Sequence, residues 1–419
     1  MTDSALAARK AAVHLLDQVL GEGRLMAECL STGALDHLGP QDRARAQRLA
    51  AETLRGLERA DRILARHLQK APPLTVRNAL RLGTIELSQG EAAHGVVNAM
   101  VEIVGRHRKH GRLKGLVNAV LRKVDADLPE AWEKLRVPRL PKWLRVPLVA
   151  AWGSEAVAGM ERAHFAGAPL DLTVKPGGMT PDGQWLPTGT LRLHEPGQVS
   201  VLPGYEAGDW WVQDVAAAVA ARVLDARPGE SVLDLCAAPG GKTLQMAASG
   251  AKVTALDISE ARLTRLRENL SRTQLEAEVV AADALTHEGR YDAVLLDAPC
   301  SATGTIRRHP DLPHAKDGSE FGALIELQAQ MLAHAWGLVK PGGRLVYCTC
   351  SLLPDEGEVQ VEEALSLFAD MTVDKAALAL PGIESGWITE EGGLRLRPDY
   401  WPEIRGMDGF YIACLRKAG

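Results

Sequence analysis

Two short segments of the sequence each place a cysteine directly after an apolar run of strand character. The first is Asp-Ala-Pro-Cys at residues 297–300, and the second is Thr-Cys-Ser at residues 349–351. Carbon 5 of a cytosine is a weak nucleophile, so an enzyme that methylates it must first add a thiolate to carbon 6 and later remove the proton from carbon 5. This chemistry needs one sulfur for attack and a second acid or base for release. The two cysteines therefore predict chemistry on a pyrimidine ring.

A glycine-rich loop precedes both cysteines, with the sequence Cys-Ala-Ala-Pro-Gly-Gly-Lys-Thr at residues 236–243. A Walker loop requires a glycine where this chain has Cys236, which excludes a nucleotide triphosphatase of that type. The dinucleotide fingerprint Gly-x-Gly-x-x-Gly is also absent. What remains is a strand-to-helix turn with free amides, which suits a small carboxylate such as the methionine end of S-adenosylmethionine.

Three aspartates stand at the ends of successive predicted strands. Asp257 can accept hydrogen bonds from ribose hydroxyls, Asp283 can receive an adenine amino group, and Asp297 lies beside the expected sulfonium. Each one alone is also compatible with a cap or a turn. Together they predict a pocket that suits adenosine and a sulfonium and does not suit a polyphosphate.

The C-terminal half must position these residues, and from about Trp211 its short aliphatic runs alternate with helical patterns. Strands are predicted at 231–235, 252–256, 277–280, 291–296 and 343–348, and helices at 243–248, 260–269, 322–339 and 356–368. This alternation predicts a doubly wound α/β domain with a mostly parallel sheet. Ligands bind beyond the carboxyl ends of such strands, where all the candidate residues lie.

The N-terminal third shows helical spacing of apolar residues without strand patterning, at 9–20, 41–65, 76–88 and 95–104. It predicts a compact all-α bundle. A further helix is predicted over 115–123, after a basic cluster of Arg106, His107, Arg108, Lys109, His110, Arg112 and Lys114. The cluster either contacts phosphates or is a solvated loop before a helix whose basic C-terminal end compensates the dipole.

Residues 138–208 change to Pro, Gly and Trp, with turn signals at 176–178, 181–183 and 196–197 between short strand-like pieces. They predict a small connecting domain. The adjacent Trp210 and Trp211 either stack on nucleobases or anchor packing at a domain junction.

Composition narrows the class of protein. The 419 residues accommodate two or three domains. The net charge of −5 is unevenly distributed along the chain. Residues 1–135 have 21 Lys and Arg against 16 Asp and Glu, whereas the remainder has 27 against 37. A locally basic module fits an RNA-binding surface.

Six cysteines in a chain of this length do not make a disulfide framework, and no secretory signal or membrane span is evident, so a cytoplasmic protein is expected. The cysteines lack the paired spacing of a zinc site, so no metal is expected.

Taken together, the motifs resemble the RNA 5-methylcytosine methyltransferases of the Sun/NOL/NOP family, and within it the bacterial small-subunit rRNA methyltransferase B group. The N-terminal motifs at 78–83 and 115–122 are similar to its NusB-like domain. The motifs at 213–214, 238–243, 297–304, 349–351 and 408–410 follow in the family's order. The resemblance implies a NusB-like helical RNA-binding domain at 1–137, a small α+β connecting RNA-recognition domain at 138–208, and a Rossmann-like class I methyltransferase domain at 209–419.

The resemblance also implies roles for individual residues. Cys350 is the expected nucleophile on carbon 6, and Cys300 is expected to assist release of the methylated product. The expected S-adenosylmethionine site comprises Cys236, Ala237, Ala238, Pro239, Gly240, Gly241, Lys242, Asp257, Asp283 and Asp297. Cys348, where relatives often have alanine, is either a buried structural thiol or a third thiol near the site. Arg307 and Arg308 either hold a flanking phosphate or form a solvent-facing pair.

The implied activity is methyl transfer from S-adenosylmethionine to carbon 5 of a cytosine in small-subunit (16S) rRNA, through a covalent cysteine–cytosine adduct. A monomer with RNA as its partner and no membrane attachment is expected. Two alternatives stay open at this point. One is a methyltransferase of the same family that acts on tRNA, and the other is a non-catalytic RNA-binding or assembly factor with a degenerate methyltransferase fold.

Overall fold

The structure is a computed structural model, and it describes residues 3–194 and 197–419. The turn predicted at 196–197 therefore lies partly outside the described residues. The described chain divides into two compact units, residues 3–167 with 306–317 and residues 168–305 with 318–419. The three-domain division at 137/138 and 208/209 stays a prediction. Among the described residues, no helix combines the length and apolarity needed to cross a membrane.

The helices, in chain order, are α1 (Asp3–Glu22), α2 (Met26–Ser31), α3 (Pro40–Arg55), α4 (Leu57–Leu64), α5 (Leu74–Ser88), α6 (Ala93–Gly105), α7 (Lys114–Ala131), α8 (Lys142–Ala166), α9 (Val215–Leu224), α10 (Gly241–Ala248), α11 (Glu260–Thr273), α12 (Leu312–Ala315), α13 (Phe321–Leu338) and α14 (Glu358–Leu367). The strands are β1 (Leu170–Val174), β2 (Gln184–Trp185), β3 (Leu191–Leu193), β4 (Trp210–Val212), β5 (Ser231–Leu235), β6 (Lys252–Asp257), β7 (Glu278–Ala281), β8 (Tyr291–Asp297), β9 (Val339–Thr349), β10 (Met371–Val373), β11 (Leu394–Leu396) and β12 (Phe410–Lys417).

The first unit is helical, as predicted, with a core built from the apolar faces of α1, α3, α5, α6 and α7. The helix predicted over 41–65 is divided into α3 and α4. The chain turns between them at Gly56, where a Cβ would lie 2.5 Å from Cδ1 of Ile85. The prediction missed α8, which falls in the segment expected to hold strand-like pieces. Its helical dihedrals are interrupted at Gly153, with φ 80° and ψ 160°, and it also contains Pro147, so its sequence lacks one continuous helical pattern.

The basic cluster lies between α6 and α7, and Arg106, Arg108, Lys109, Arg112 and Lys114 are exposed there. The suggestion that a basic helix end compensates the dipole is wrong, because α7 continues to Ala131, well beyond residues 122–123. An exposed basic loop remains, and both phosphate contact and simple solvation stay possible roles for it.

The second unit contains two sheets. The smaller has the order β2-β3-β1-β4, with antiparallel neighbours throughout. Trp210 and Trp211 on β4 are 0% and 3% exposed. The indole of Trp210 donates to the Pro203 carbonyl at 2.8 Å, and that of Trp211 donates to the Gln213 side chain at 2.9 Å. Both rings are therefore packing residues, and the base-stacking alternative is wrong for them.

The larger sheet has the order β10-β12-β9-β8-β5-β6-β7, with β11 paired to β12. The five strands from β9 to β7 along this order are parallel, and β12 is antiparallel to its neighbours. Apolar clusters cover both faces of the sheet. The doubly wound, mostly parallel sheet is confirmed, and it brings the carboxyl ends of β5, β6, β8 and β9 to one edge.

Candidate active site

The two cysteines that could carry the chemistry lie side by side. Strands β8 and β9 are parallel neighbours, with Asp297 opposite Cys348 in the register. The segments that follow them therefore leave the sheet at the same edge. The Sγ atoms of Cys300 and Cys350 are 3.4 Å apart. Both residues are free thiols and only partly buried.

A close backbone contact holds the two cysteine segments together. The Gly304 amide donates to the Cys350 carbonyl at 2.9 Å, and the Gly409 amide donates to the Gly304 carbonyl at 2.8 Å. A Cβ on Gly304 would lie 2.1 Å from the Gly409 oxygen. No other residue type fits at position 304 without moving one of these segments, which explains the glycine in that motif.

The protonation of Cys300 depends on its neighbour. The hydrogen bond with Cys350 raises the pKa of the Cys300 thiol well above its ordinary value, and burial and the negative charges of Cys350 and Glu356 add to this effect. Cys300 is therefore held as a thiol while the free Cys350 sulfur stands beside it.

Asp297 and Lys242 form an ion pair next to these thiols. Nζ of Lys242 lies 2.6 Å from Oδ2 of Asp297 and 5.1 Å from the centroid of the Phe410 ring. Burial lowers the pKa of Lys242, but the charge of Asp297, the hydrogen bond to Asp297 and the charges of Cys348 and Asp234 together outweigh that effect, and the pKa is raised overall. The ammonium group is therefore permanently charged and is committed to Asp297.

Cys348 is a buried thiol at the margin of the site. It is 0% exposed, and its Sγ donates to Oδ1 of Asp297 at 3.6 Å. Burial, followed by the charge of Asp297, raises its pKa well above the ordinary value. These contacts agree with the buried structural thiol, while a catalytic or redox role for Cys348 has no support.

The glycine-rich loop joins β5 to α10 and rests on the end of β6. The Ala238 amide donates to Oδ2 of Asp257 at 3.2 Å, and the Ser259 amide donates to Oδ1 at 2.9 Å. Gly240 has φ 105°, which a residue with a side chain rarely adopts. Asp257 is 1% exposed, so in this structure it supports the loop directly. Its hydrogen bonds to ribose stay a prediction.

Cys236, Asp283, Arg307 and Arg308 were also considered from the sequence as site residues. Cys236 begins the loop, and burial, followed by the charge of Asp297, raises its pKa to about 12, so it is no nucleophile at neutral pH. Asp283 is exposed and its Oδ1 accepts the Leu285 amide at 2.9 Å, which is the turn role considered for it. Its contact with adenine stays a prediction.

Arg307 is 0% exposed, so both roles proposed for it from the sequence are wrong, whereas Arg308 is exposed.

Two buried carboxyl groups escaped the sequence analysis. Asp234 lies inside β5, where burial raises its pKa to about 7, and its Oδ2 accepts the Thr243 hydroxyl at 2.5 Å. Glu356 lies beneath both cysteine segments and is 0% exposed. An acidic residue inside an apolar strand was a usable signal for Asp234. The sequence contained no such signal for Glu356, because its position resembles that of an ordinary polar residue at the start of a helix.

Comparison with known proteins agrees with this geometry. Residues 221–416 match the family "16S rRNA methyltransferase RsmB/F", and residues 6–126 match the NusB family. Similar proteins include the ribosomal RNA small subunit methyltransferase B of Erwinia tasmaniensis, 34% identical with 97% of each chain covered. The protein of the same name from Pseudomonas putida is 35% identical, with 98% of each chain covered. A solved methyltransferase homolog from Pyrococcus horikoshii is 27% identical, with a TM-score of 0.53, over 66% of this chain and 95% of that one.

Proposed function

Because the chain belongs to the RsmB/F family of 16S rRNA methyltransferases, we propose that it transfers a methyl group from S-adenosylmethionine to carbon 5 of a cytosine in small-subunit rRNA. The observation that carries this proposal is the pair of sulfurs 3.4 Å apart at the sheet edge that also holds the glycine-rich loop. The relatives are named for small-subunit rRNA, which favours that substrate over tRNA. The retained thiol pair favours an enzyme over a non-catalytic assembly factor.

The donor set of the pocket fits the cofactor. Asp257 and Asp297 lie at the ends of strands in the same parallel sheet, and each pairs with a cation, Asp257 with Arg262 at 3.3 Å and Asp297 with Lys242 at 2.6 Å. Their carboxylate oxygens can accept hydrogen bonds from ribose hydroxyls and attract a sulfonium. We assign the loop residues 236–242 with Asp257, Asp283 and Asp297 to S-adenosylmethionine, which supplies the methyl group when bound.

Cys350 is assigned as the nucleophile. Its thiolate adds to carbon 6 of an unstacked cytosine, and carbon 5 becomes electron-rich enough to accept a methyl group. The neighbouring thiol of Cys300 can donate a hydrogen bond to the Cys350 sulfur while that sulfur is negatively charged. The Cys300 thiol therefore places a hydrogen-bond donor beside the attacking sulfur.

Cys300 is assigned to release. Once the Cys350 sulfur is bonded to carbon 6, it no longer carries charge, and the two effects of Cys350 that raise the pKa of Cys300 are removed. Cys300 then ionises more readily and takes the proton from carbon 5. The electrons of that C–H bond form the C5–C6 double bond, and the bond between carbon 6 and Cys350 breaks. The two thiols thus act in turn, Cys350 in attack and Cys300 in release.

The function is tested by incubating the purified protein with S-adenosylmethionine and rRNA from cells that lack it, followed by bisulfite mapping. New 5-methylcytosine at one position of small-subunit rRNA is expected. Methylation of tRNA instead would support the first alternative. Stoichiometric cofactor binding with no transfer to any RNA would support the assembly factor. We also expect a cytoplasmic monomer, which size-exclusion chromatography with light scattering and cell fractionation would check.

A further inference from the structure

The Glu356 side chain lies beneath the segment that carries Cys300. Its Oε1 accepts the Ser301 amide at 2.9 Å and Nε2 of Gln328 at 3.0 Å, and its Oε2 accepts the Ser301 hydroxyl at 2.5 Å. Ser301 directly follows Cys300 in the chain. The carboxylate therefore fixes both the backbone and the side chain of the residue next to the release thiol.

The backbone of Glu356 fixes the second cysteine segment. Its carbonyl oxygen accepts the Tyr347 hydroxyl at 2.9 Å and the Thr349 hydroxyl at 3.1 Å. Both donors lie on β9, which leads directly into Cys350. A single buried residue thus holds the strand before one thiol and the loop after the other.

Hydroxyl groups link the two segments above Glu356. The Ser301 and Ser351 hydroxyl oxygens are 3.1 Å apart, and that of Thr303 lies 3.3 Å from Ser351. The Thr303 hydroxyl also accepts the Leu352 amide at 2.9 Å. Ser351 directly follows Cys350, so the network joins the residues that come immediately after each thiol.

Burying a carboxylate among neutral donors costs free energy, because such donors offset the loss of hydration only in part. The charged oxygens do form stronger hydrogen bonds than neutral acceptors would. Such an arrangement stabilises a fixed geometry more than it stabilises the fold.

We propose that Glu356 is a positioning residue that holds the Cys300 sulfur beside the Cys350 sulfur through Ser301. The proposal rests on the assignment of these thiols to cytosine methylation, and it gives Glu356 no contact with RNA or cofactor. The negative charge of Glu356 also contributes to the raised pKa of Cys300, after the hydrogen bond with Cys350, burial and the charge of Cys350.

Two substitutions of Glu356 distinguish its effect on the position of Cys300 from the effect of its charge. Glu356→Ala removes every side-chain acceptor, whereas Glu356→Gln keeps a carbonyl oxygen for the Ser301 amide. Because misplacing a reacting group by about 1 Å costs on the order of 100-fold in rate, turnover of the alanine variant should fall about 100-fold. The glutamine variant should lose roughly tenfold or less, in line with one weakened hydrogen bond. The control is Glu363→Gln, the same charge change at an exposed position of α14.

The loss of turnover in Glu356→Ala should arise from slower release of the methylated RNA. The alanine variant should accumulate the covalent protein–RNA adduct, and its dissociation constant for S-adenosylmethionine, measured by calorimetry, should match that of the unaltered protein. Normal turnover in Glu356→Ala would overturn the proposal. So would a parallel loss of cofactor binding, since that would indicate general disruption of the fold.

A measurement without RNA separates this proposal from the proposed function. A mild thiol oxidant such as diamide should join Cys300 and Cys350 readily in the unaltered protein, and the rate of joining depends on their separation. That rate should fall about tenfold or more in Glu356→Ala and much less in Glu356→Gln. Equal rates in all three proteins would overturn the positioning role, whether or not the protein methylates RNA.

Discussion

The Sγ atoms of Cys300 and Cys350 lie 3.4 Å apart, although 50 positions separate the residues in the chain. The hydrogen bond between them raises the pKa of Cys300, so the charge on one thiol controls the ionisation of the other. Cys300 therefore stays a thiol beside Cys350 until substrate consumes one of the sulfurs.

Oxidation should inactivate the protein reversibly. A disulfide is about 2 Å long, so the two sulfurs need to approach by roughly 1.4 Å to form one. We expect treatment with diamide to remove two hydrogens from the pair, to abolish methyl transfer, and to be reversed by dithiothreitol. Peptide mapping by mass spectrometry identifies the bond. The variant Cys300→Ser should form none, and a bond from Cys350 to another cysteine would contradict the observed geometry.

Cys350→Ala should remove both adduct formation and methyl transfer, because no thiolate remains to add to carbon 6. The rate should fall by roughly 10⁴-fold or more, as for other essential nucleophiles. Transfer of labelled methyl groups to rRNA measures it. The matched control is Cys348→Ala, which removes a buried thiol from the same strand region and should retain most of the activity. Retained turnover in Cys350→Ala would show that the nucleophile is another residue.

The exposed basic loop between α6 and α7 should contribute to RNA affinity. Replacing Arg108, Lys109 and Arg112 by glutamate should weaken RNA binding, and the slope of its salt dependence should fall by about one for each phosphate that the loop no longer neutralises. Cofactor affinity should not change. Filter binding at several salt concentrations measures the effect. The control replaces the exposed residues Lys10, Arg48 and Lys70 of the same unit by glutamate. Equal weakening in both triple variants would show that the loop has no special role.

His164 should make the helical unit sensitive to acid. Burial, aided by the positive charges of Arg307 and Arg55, lowers its pKa from 6.5 to about 3. The unfolded chain therefore binds a proton below pH 6.5 that the folded chain rejects, so stability is complete above that pH and falls as pH drops toward 3. About 2 kcal/mol should be lost by pH 5.

Urea unfolding of His164→Gln at pH 7.5 and pH 5 measures this effect. The difference between the two pH values should be smaller in the variant than in the unaltered protein by about 2 kcal/mol. The exposed residue His37 provides the matched control, and His37→Gln should keep the full difference. An identical pH dependence in His164→Gln would contradict the burial of a neutral imidazole.

The sequence predicted the five parallel strands of the large sheet because each contains a short aliphatic run, but it did not predict the antiparallel strands β10, β11 and β12. The helix predictions were wrong where the helical pattern of apolar residues is interrupted locally. The chain turns at Gly56 between α3 and α4, where Ile85 leaves no room for a side chain, and Gly153 interrupts α8 in a proline-containing segment. Neither effect is visible in the periodicity of the residues concerned.

The candidate site was predicted in part. The loop, Asp257, Asp297 and both thiols meet at one edge because successive parallel strands end there. Glu356 was not found, because its partner Ser301 lies 55 positions away and only folding reveals that their contact is buried. The burial of Arg307 escaped prediction for the same reason, since charge alone suggested an exposed side chain.

The most direct test of two thiols with successive roles is the fate of the adduct in Cys300→Ala. The purified variant is incubated with S-adenosylmethionine and cytosine-containing rRNA, then analysed on a denaturing gel with labelled RNA. Attack and methyl transfer should proceed while release fails, so a covalent protein–RNA band should accumulate, and the double variant Cys300→Ala/Cys350→Ala should show none. Normal turnover of Cys300→Ala with no such band would contradict the account.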